Sequence, residues 1–115
     1  MRYTFKVYPL RVSVKRRPHH DLDAIQAKFA TVETLEITTT AVRSARELGF
    51  ALEDVVEVVQ ALQPQDFVKS ETAHNPPNPR RWHDTYVTPF DDRWLYLKFA
   101  GETLLDVVLT SFKED

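Results

Sequence analysis

The apolar residues of this chain change their spacing at Pro64, and that change limits the fold more than any other feature. Before Pro64 they recur every three or four positions. Leu22, Ile25, Phe29 and Val32 form one stripe, Ala41, Val42, Ala45 and Leu48 a second, and Val55, Val56, Val58, Val59 and Leu62 a third. A period near 3.6 is that of a helix with one buried face. Proline cannot continue such a helix, because it lacks the backbone donor and its ring clashes with the preceding turn. Beyond it the period is two. The clearest case is 94–100, where Leu95, Leu97 and Phe99 alternate with Trp94, Tyr96 and Lys98. Helices first and strands afterwards, with short loops between strands, predict an α+β fold. A helical part at 19–63 packs on one face of an antiparallel sheet at 66–114.

Local signals refine the outline. Asp21 or His20 is placed to cap the first helix, and Asp23 suits its first turn through the helix dipole. A short β-branched run follows at 35–38. Thr39 or Thr40 is placed to cap the second helix, and Gly49 is expected as its left-handed C′ residue, with Phe50 folding back. The third helix is expected at 52–62. Strands are predicted at 67–72, 82–88, 94–100 and 104–112, joined by a Pro- and Asn-rich loop at 74–79, a turn at 89–92 and a tight connection at 101–102. The last strand is nearly all apolar, which points to the centre of the sheet. Residues 3–14 also alternate, with Pro9 favouring an edge, so 1–14 reads as an extra strand or a loosely attached arm.

A length of 115 residues fits one domain with one core. The absence of cysteine excludes disulfides and thiolate metal sites and fits a reducing cytoplasm. No apolar run is long enough to span a membrane, and the N-terminal alternation is too regular for a signal peptide. The net charge of −2 conceals an asymmetry: Arg2, Lys6, Arg11, Lys15, Arg16 and Arg17 all precede the first acid, Asp21. A weakly acidic total disfavours non-specific duplex binding but permits a local basic patch, since phosphate affinity follows local potential.

Several segments carry a family likeness: KRRPH at 15–19, TTTAVRSARELGF, DFVKS, WHDTY, LYLK and the terminal SFKE. In this order and at these separations they resemble the MqsR family of toxins from type II toxin–antitoxin modules, which have a RelE-like fold. The likeness runs from about Lys15 to the end. It implies a single RelE-like toxin domain over 1–115. The implied activity is a sequence-specific, metal-independent and ribosome-independent mRNA endonuclease that cuts at short GC-containing triplets. It further implies an mRNA substrate and a cognate antitoxin as partners, no cofactor, no metal and no membrane. Carried over by position, the family's catalytic lysine in D-F-x-K-S falls on Lys69, its tyrosine in Y-L-K on Tyr96 and its C-terminal lysine in S-F-K on Lys113. A fourth position, associated with glutamine between the Trp and the Asp, is His83 here. Histidine can carry a proton near neutral pH where glutamine can only orient.

The chemistry of these residue types agrees. Metal-free RNA cleavage needs a base for the 2′-OH, cations for the phosphorane and an acid for the leaving 5′-oxygen, giving a 2′,3′-cyclic phosphate and a 5′-OH. Lys69 and Lys113 suit charge stabilisation. Tyr96 suits positioning or an acid role, and His83 either proton role. Arg80, Arg81 and Lys98 can grip flanking phosphates, and Trp82 or Trp94 can stack on an unpaired base, Trp82 being the first choice. Each has a plainer role: solvated lysines, a cross-strand tyrosine, a structural histidine and packed tryptophans. Asp84 neighbours His83 in a strand and so points to the other face, where it is expected to bond the sheet or a turn. His19, His20 and His74 lack metal-ligand spacing. The alternative functions are a catalytically weak RNA- or protein-binding module of the same fold, or a ribosome-dependent RelE-type nuclease.

Overall fold

The structure is a computed structural model that describes residues 13–115, so the strand or arm expected over the N-terminal residues lies, apart from its last positions, outside the described residues. Helices α1 (Leu22–Lys28), α2 (Thr39–Glu47) and α3 (Leu52–Ala61) follow a short strand β1 (Val14–Lys15). Strands β2 (Phe67–His74), β3 (Pro77–Phe90), β4 (Arg93–Gly101) and β5 (Val108–Glu114) then form the sheet. Its order is β1-β2-β3-β4-β5 and every pairing is antiparallel. This is the α+β arrangement that the change of period predicts.

The helix ends show why these segments stop where they do. The Asp21 side chain accepts from the Ala24 N–H and starts α1. Thr38, one residue before the expected caps, accepts from the Ala41 N–H and starts α2. At the other end of α2, Gly49 has φ +91°, Phe50 N–H donates to Ala45 at 2.9 Å and Gly49 N–H to Arg46 at 2.9 Å. This is a Schellman cap, and it turns the Phe50 ring onto Phe112 and Phe90. Asp54 accepts from the Ala51 N–H and starts α3.

All three helices lie over one sheet face. Ile25 and Phe29 of the α1 segment, Ala41 and Ala45 of α2, and Val55, Val58 and Val59 of α3 are buried there against Tyr86, Leu95, Leu97, Phe99, Leu109 and Phe112. Phe29 stacks on Phe99, and Tyr86 meets Phe67 and Phe99 edge-on. Burying a side chain of this size is worth about 2 kcal/mol, so the helical layer and the sheet stabilise each other.

Two expectations are corrected. The strand placed at 104–112 begins only at Val108, and it is not central: β5 pairs with β4 on one side and ends the sheet. Residues 102–107 instead form a turn held by Asp106, whose carboxylate accepts from the Glu102 and Thr103 N–H groups. Leu105 in that turn is exposed. The apolarity of β5 reflects cover on its outer side, where Leu109 N–H donates to Glu36 at 2.8 Å and Thr38 N–H to Leu109 at 3.1 Å. Nor is 74–79 a loop. Ala73 pairs with Asn78 and His74 with Pro77, so the hairpin continues to a two-residue turn at 75–76.

The segment between β1 and α1 is fastened to the sheet by one carboxylate. Asp84, 1% exposed, accepts from the His19 N–H at 3.1 Å, from the His20 N–H at 2.8 Å and from the Ser70 hydroxyl. His20 is buried beside it, and its Nε2 donates to the Gly101 carbonyl at 3.2 Å. Removing the carboxylate strands one buried amide, one partly buried amide and a buried hydroxyl. Asp84→Ala is expected to cost about 3 kcal/mol of folding free energy, read from the midpoint of urea unfolding. A loss under about 0.5 kcal/mol would contradict this role.

Candidate functional site

The sheet face away from the helices is set by cross-strand register. Lys69 pairs with Thr85, Thr85 with Lys98, and Lys98 with Ser111. One step along, Glu71 pairs with His83 and His83 with Ala100, and on the other side Val87 pairs with Tyr96 and Tyr96 with Lys113. Directly paired residues share a face, as do residues two apart. Lys69, His83, Tyr96, Lys98 and Lys113 therefore stand together on the open face. A bulge after Phe67 makes this possible. Phe67 pairs with the core-facing Tyr86, and the shift between Phe67 and Lys69 brings Lys69 round to the open side.

Geometry within the face divides it into two neighbouring parts. At the β4–β5 side, Lys113 Nζ lies 4.8 Å and Lys98 Nζ 5.9 Å from the centre of the Tyr96 ring, so two ammonium groups flank one phenol. At the hairpin side, Lys69 Nζ lies 3.2 Å from Glu71 Oε2. Next to this pair is a cavity of about 240 Å³ lined by residues that include Glu71, His74, Arg81, His83 and Lys98. His83 is half-buried there. Burial, and then the positive charges of Lys98 and Arg81, hold its imidazole below the ordinary value of 6.5, while Glu71 opposes them. Neutral imidazole thus dominates near pH 7 in the absence of a bound anion.

The remaining expected residues separate. Arg81 lines the cavity, and Arg80 is exposed beside it; both lie where the register jumps between Thr72–Trp82 and Ala73–Asn78, leaving 79–81 unpaired. Trp82 is not brought together with these residues. It pairs with Thr72 and Gly101, on the face opposite His83, and its ring stacks on His19 with centroids 5.2 Å apart and Lys15 Nζ 4.2 Å over it. Trp94, by contrast, lies on the open face. Two residues from Tyr96 on β4, it shares the open face and is 57% exposed. Asp84 faces away from His83, as the alternation requires. Among the described residues no three His, Asp or Glu side chains gather as a metal site would need.

One residue of this face was not singled out by the sequence. Glu71 is paired with Lys69 and opposite His83, and the register gives no other carboxylate among the paired positions of the face. The available signal was its spacing, two residues after Lys69 on the same strand.

An α+β protein with one sheet face sealed by helices and the other carrying lysines, a tyrosine and a histidine is the class these features define. A family described as motility quorum-sensing regulator, toxin of MqsA, matches residues 17–114. The protein named mRNA interferase toxin MqsR from Escherichia coli (strain K12) is 31% identical over 100 residues, covering 87% of this chain and 97% of that protein. The chain belongs to the MqsR toxin family.

The placement of the two tryptophans separates their substitutions. Trp82→Ala is expected to lower stability by about 2 kcal/mol through the lost stack and cation contact. Trp94→Ala should change it by less than about 0.5 kcal/mol. Urea unfolding of both variants tests the assignment, and equal losses would refute it.

Proposed function

We propose that the protein is a toxin that cleaves mRNA, acting in the cytoplasm on single-stranded substrate through the open sheet face. The observation that carries this reading is the register: it gathers Lys69, His83, Tyr96 and Lys113 on one solvent-facing surface, each on a strand fixed by the core behind it. The printed name of the Escherichia coli relative, an mRNA interferase toxin, supports the same activity. No helix among the described residues is long and apolar enough to cross a membrane.

Each part of the face has a task in transesterification. The ammonium groups of Lys69, Lys98 and Lys113 neutralise the phosphate as it gains charge, an effect strengthened where neighbouring side chains exclude water. The Tyr96 hydroxyl, with two cations beside its ring, positions a phosphate oxygen. Arg80 and Arg81 hold a flanking phosphate, Arg81 from within the cavity. An unpaired base stacks on Trp94, a contact worth about 1–3 kcal/mol and indifferent to base identity. The 2′-OH loses its proton as its oxygen attacks phosphorus, the P–O5′ bond breaks and the departing 5′-oxygen gains a proton, His83 being placed for a proton transfer, and the products are a 2′,3′-cyclic phosphate and a 5′-OH. Every group needed is on the chain, so cutting proceeds without metal, cofactor or ribosome. Cleavage is sequence-specific, at short GC-containing triplets. A cognate antitoxin protein holds the activity in check, consistent with the family description as a toxin of MqsA.

Purified protein is expected to cleave ribosome-free mRNA in EDTA and to leave cyclic phosphate ends. Lys69→Ala, Tyr96→Phe and Lys113→Ala should each lower the rate by about 10²-fold with the thermal midpoint nearly unchanged. A strict metal requirement, or full cleavage by a folded triple variant, would overturn the proposal.

A further inference from the structure

Glu71 and His83, directly opposite across β2 and β3, both line one cavity, and Lys69 pairs with Glu71 from beside it. Directly opposite strand residues have Cβ atoms about 5 Å apart, so a carboxylate and an imidazole on such positions reach two sides of one phosphate. The Glu71 side chain is 18% exposed, and Lys69 contacts its Oε2, leaving Oε1 outside that ion pair. Lys98 and Arg81 line the same cavity and supply cationic donors for the phosphate itself. Asp84, next to His83 in sequence, is buried on the far face and accepts from His19, His20 and Ser70.

We propose, resting on the ribonuclease reading above, that Glu71 is the general base and His83 the general acid of the reaction, working as a pair across β2 and β3. The Glu71 carboxylate takes the 2′-OH proton as the 2′-oxygen bonds to phosphorus. The P–O5′ bond breaks, and the His83 imidazolium gives its proton to the departing 5′-oxygen. One proton enters at Glu71 and one leaves from His83, so the pair must exchange a proton with solvent before the next turnover. Tyr96 and Lys113 then serve the adjoining phosphate, and Lys69 holds the Glu71 carboxylate in place through their ion pair as well as facing the substrate.

The charges around His83 give this pairing a distinctive pH behaviour. In the free protein the facing groups are Glu71 from β2, His74 at its end, Arg81 from β3 and Lys98 from β4, and the net effect with burial is to favour the neutral ring. An RNA phosphate seated against Lys98 and Arg81 cancels their positive charge and adds a negative one. That shifts the ring back toward imidazolium, the form an acid requires. The descending limb of kcat/KM, which reports the free protein, therefore falls at lower pH than the descending limb of kcat, which reports the complex.

The test is single-site cleavage of a short RNA across pH 4–9 by wild type, Glu71→Gln, Glu71→Ala and His83→Gln. Glu71→Gln should lose about 10²- to 10³-fold in kcat with KM changed only a few-fold, and should lose the ascending acid limb. Added formate should restore part of the activity of Glu71→Ala. His83→Gln should lose the descending limb. Circular dichroism and thermal melts establish that each variant is folded, and formate rescue remains informative if a melt is lowered. Near-wild-type cleavage by Glu71→Gln with an unchanged profile would overturn this pairing while leaving the ribonuclease reading intact. Failure of wild type to cut RNA would overturn the reading itself.

Discussion

Strand alternation on β4 is the constraint from which the rest follows. Leu95, Leu97 and Phe99 are fully buried against the helices, which leaves Trp94, Tyr96 and Lys98 no choice but to face out. A one-residue slip would exchange the two sets, burying an ammonium group and exposing the core, at a cost far above the marginal stability of a small domain. The hydrophobic effect thus fixes the polar face without any contact within it. Neighbouring strands inherit the phase through their registers, and the bulge after Phe67 is the one adjustment that brings Lys69 into line.

That face concentrates like charges, and the structure tolerates them because they remain in contact with water. Lys98 and Lys113 share the Tyr96 ring, whose π-face offers partial compensation, and Lys69 is balanced by Glu71. Such a surface is electrostatically unfinished: its cations are better satisfied by a polyanion than by one another. Catalysis by preorganised charge depends on this condition, since the donors are held in place before the substrate arrives. The opposite face shows the contrasting solution, where three donors surround Asp84.

Most of this architecture is legible in the residues, for identifiable reasons. The Gly49-Phe50 pair has one good conformation after a helix, and the cap is there. Thr38, Thr39 and Thr40 are chemically equivalent, so which one caps α2 depends on where the preceding chain pairs with β5. Residues 104–112 read as one strand because apolarity alone does not reveal that Asp106 gathers two amides into a turn. The same parity that sends Asp84 away from His83 sends Trp82 with it, and places Trp94 with Tyr96. Glu71 was hidden for a different reason. An acid beside a lysine on a half-exposed strand is the commonest of surface patterns, and only its partner across the hairpin gives it meaning.

In the proposed ribonuclease, RNA occupies the open face and not the helical side. Backbone amide shifts of the protein titrated with a non-cleavable 2′-O-methyl oligonucleotide test this directly. The largest changes should map to Lys69, Glu71, His83, Tyr96, Lys98 and Lys113 and to the Trp94 indole, with α1, α2 and α3 little affected. Changes confined to the helices, or an absence of binding at low salt, would contradict it.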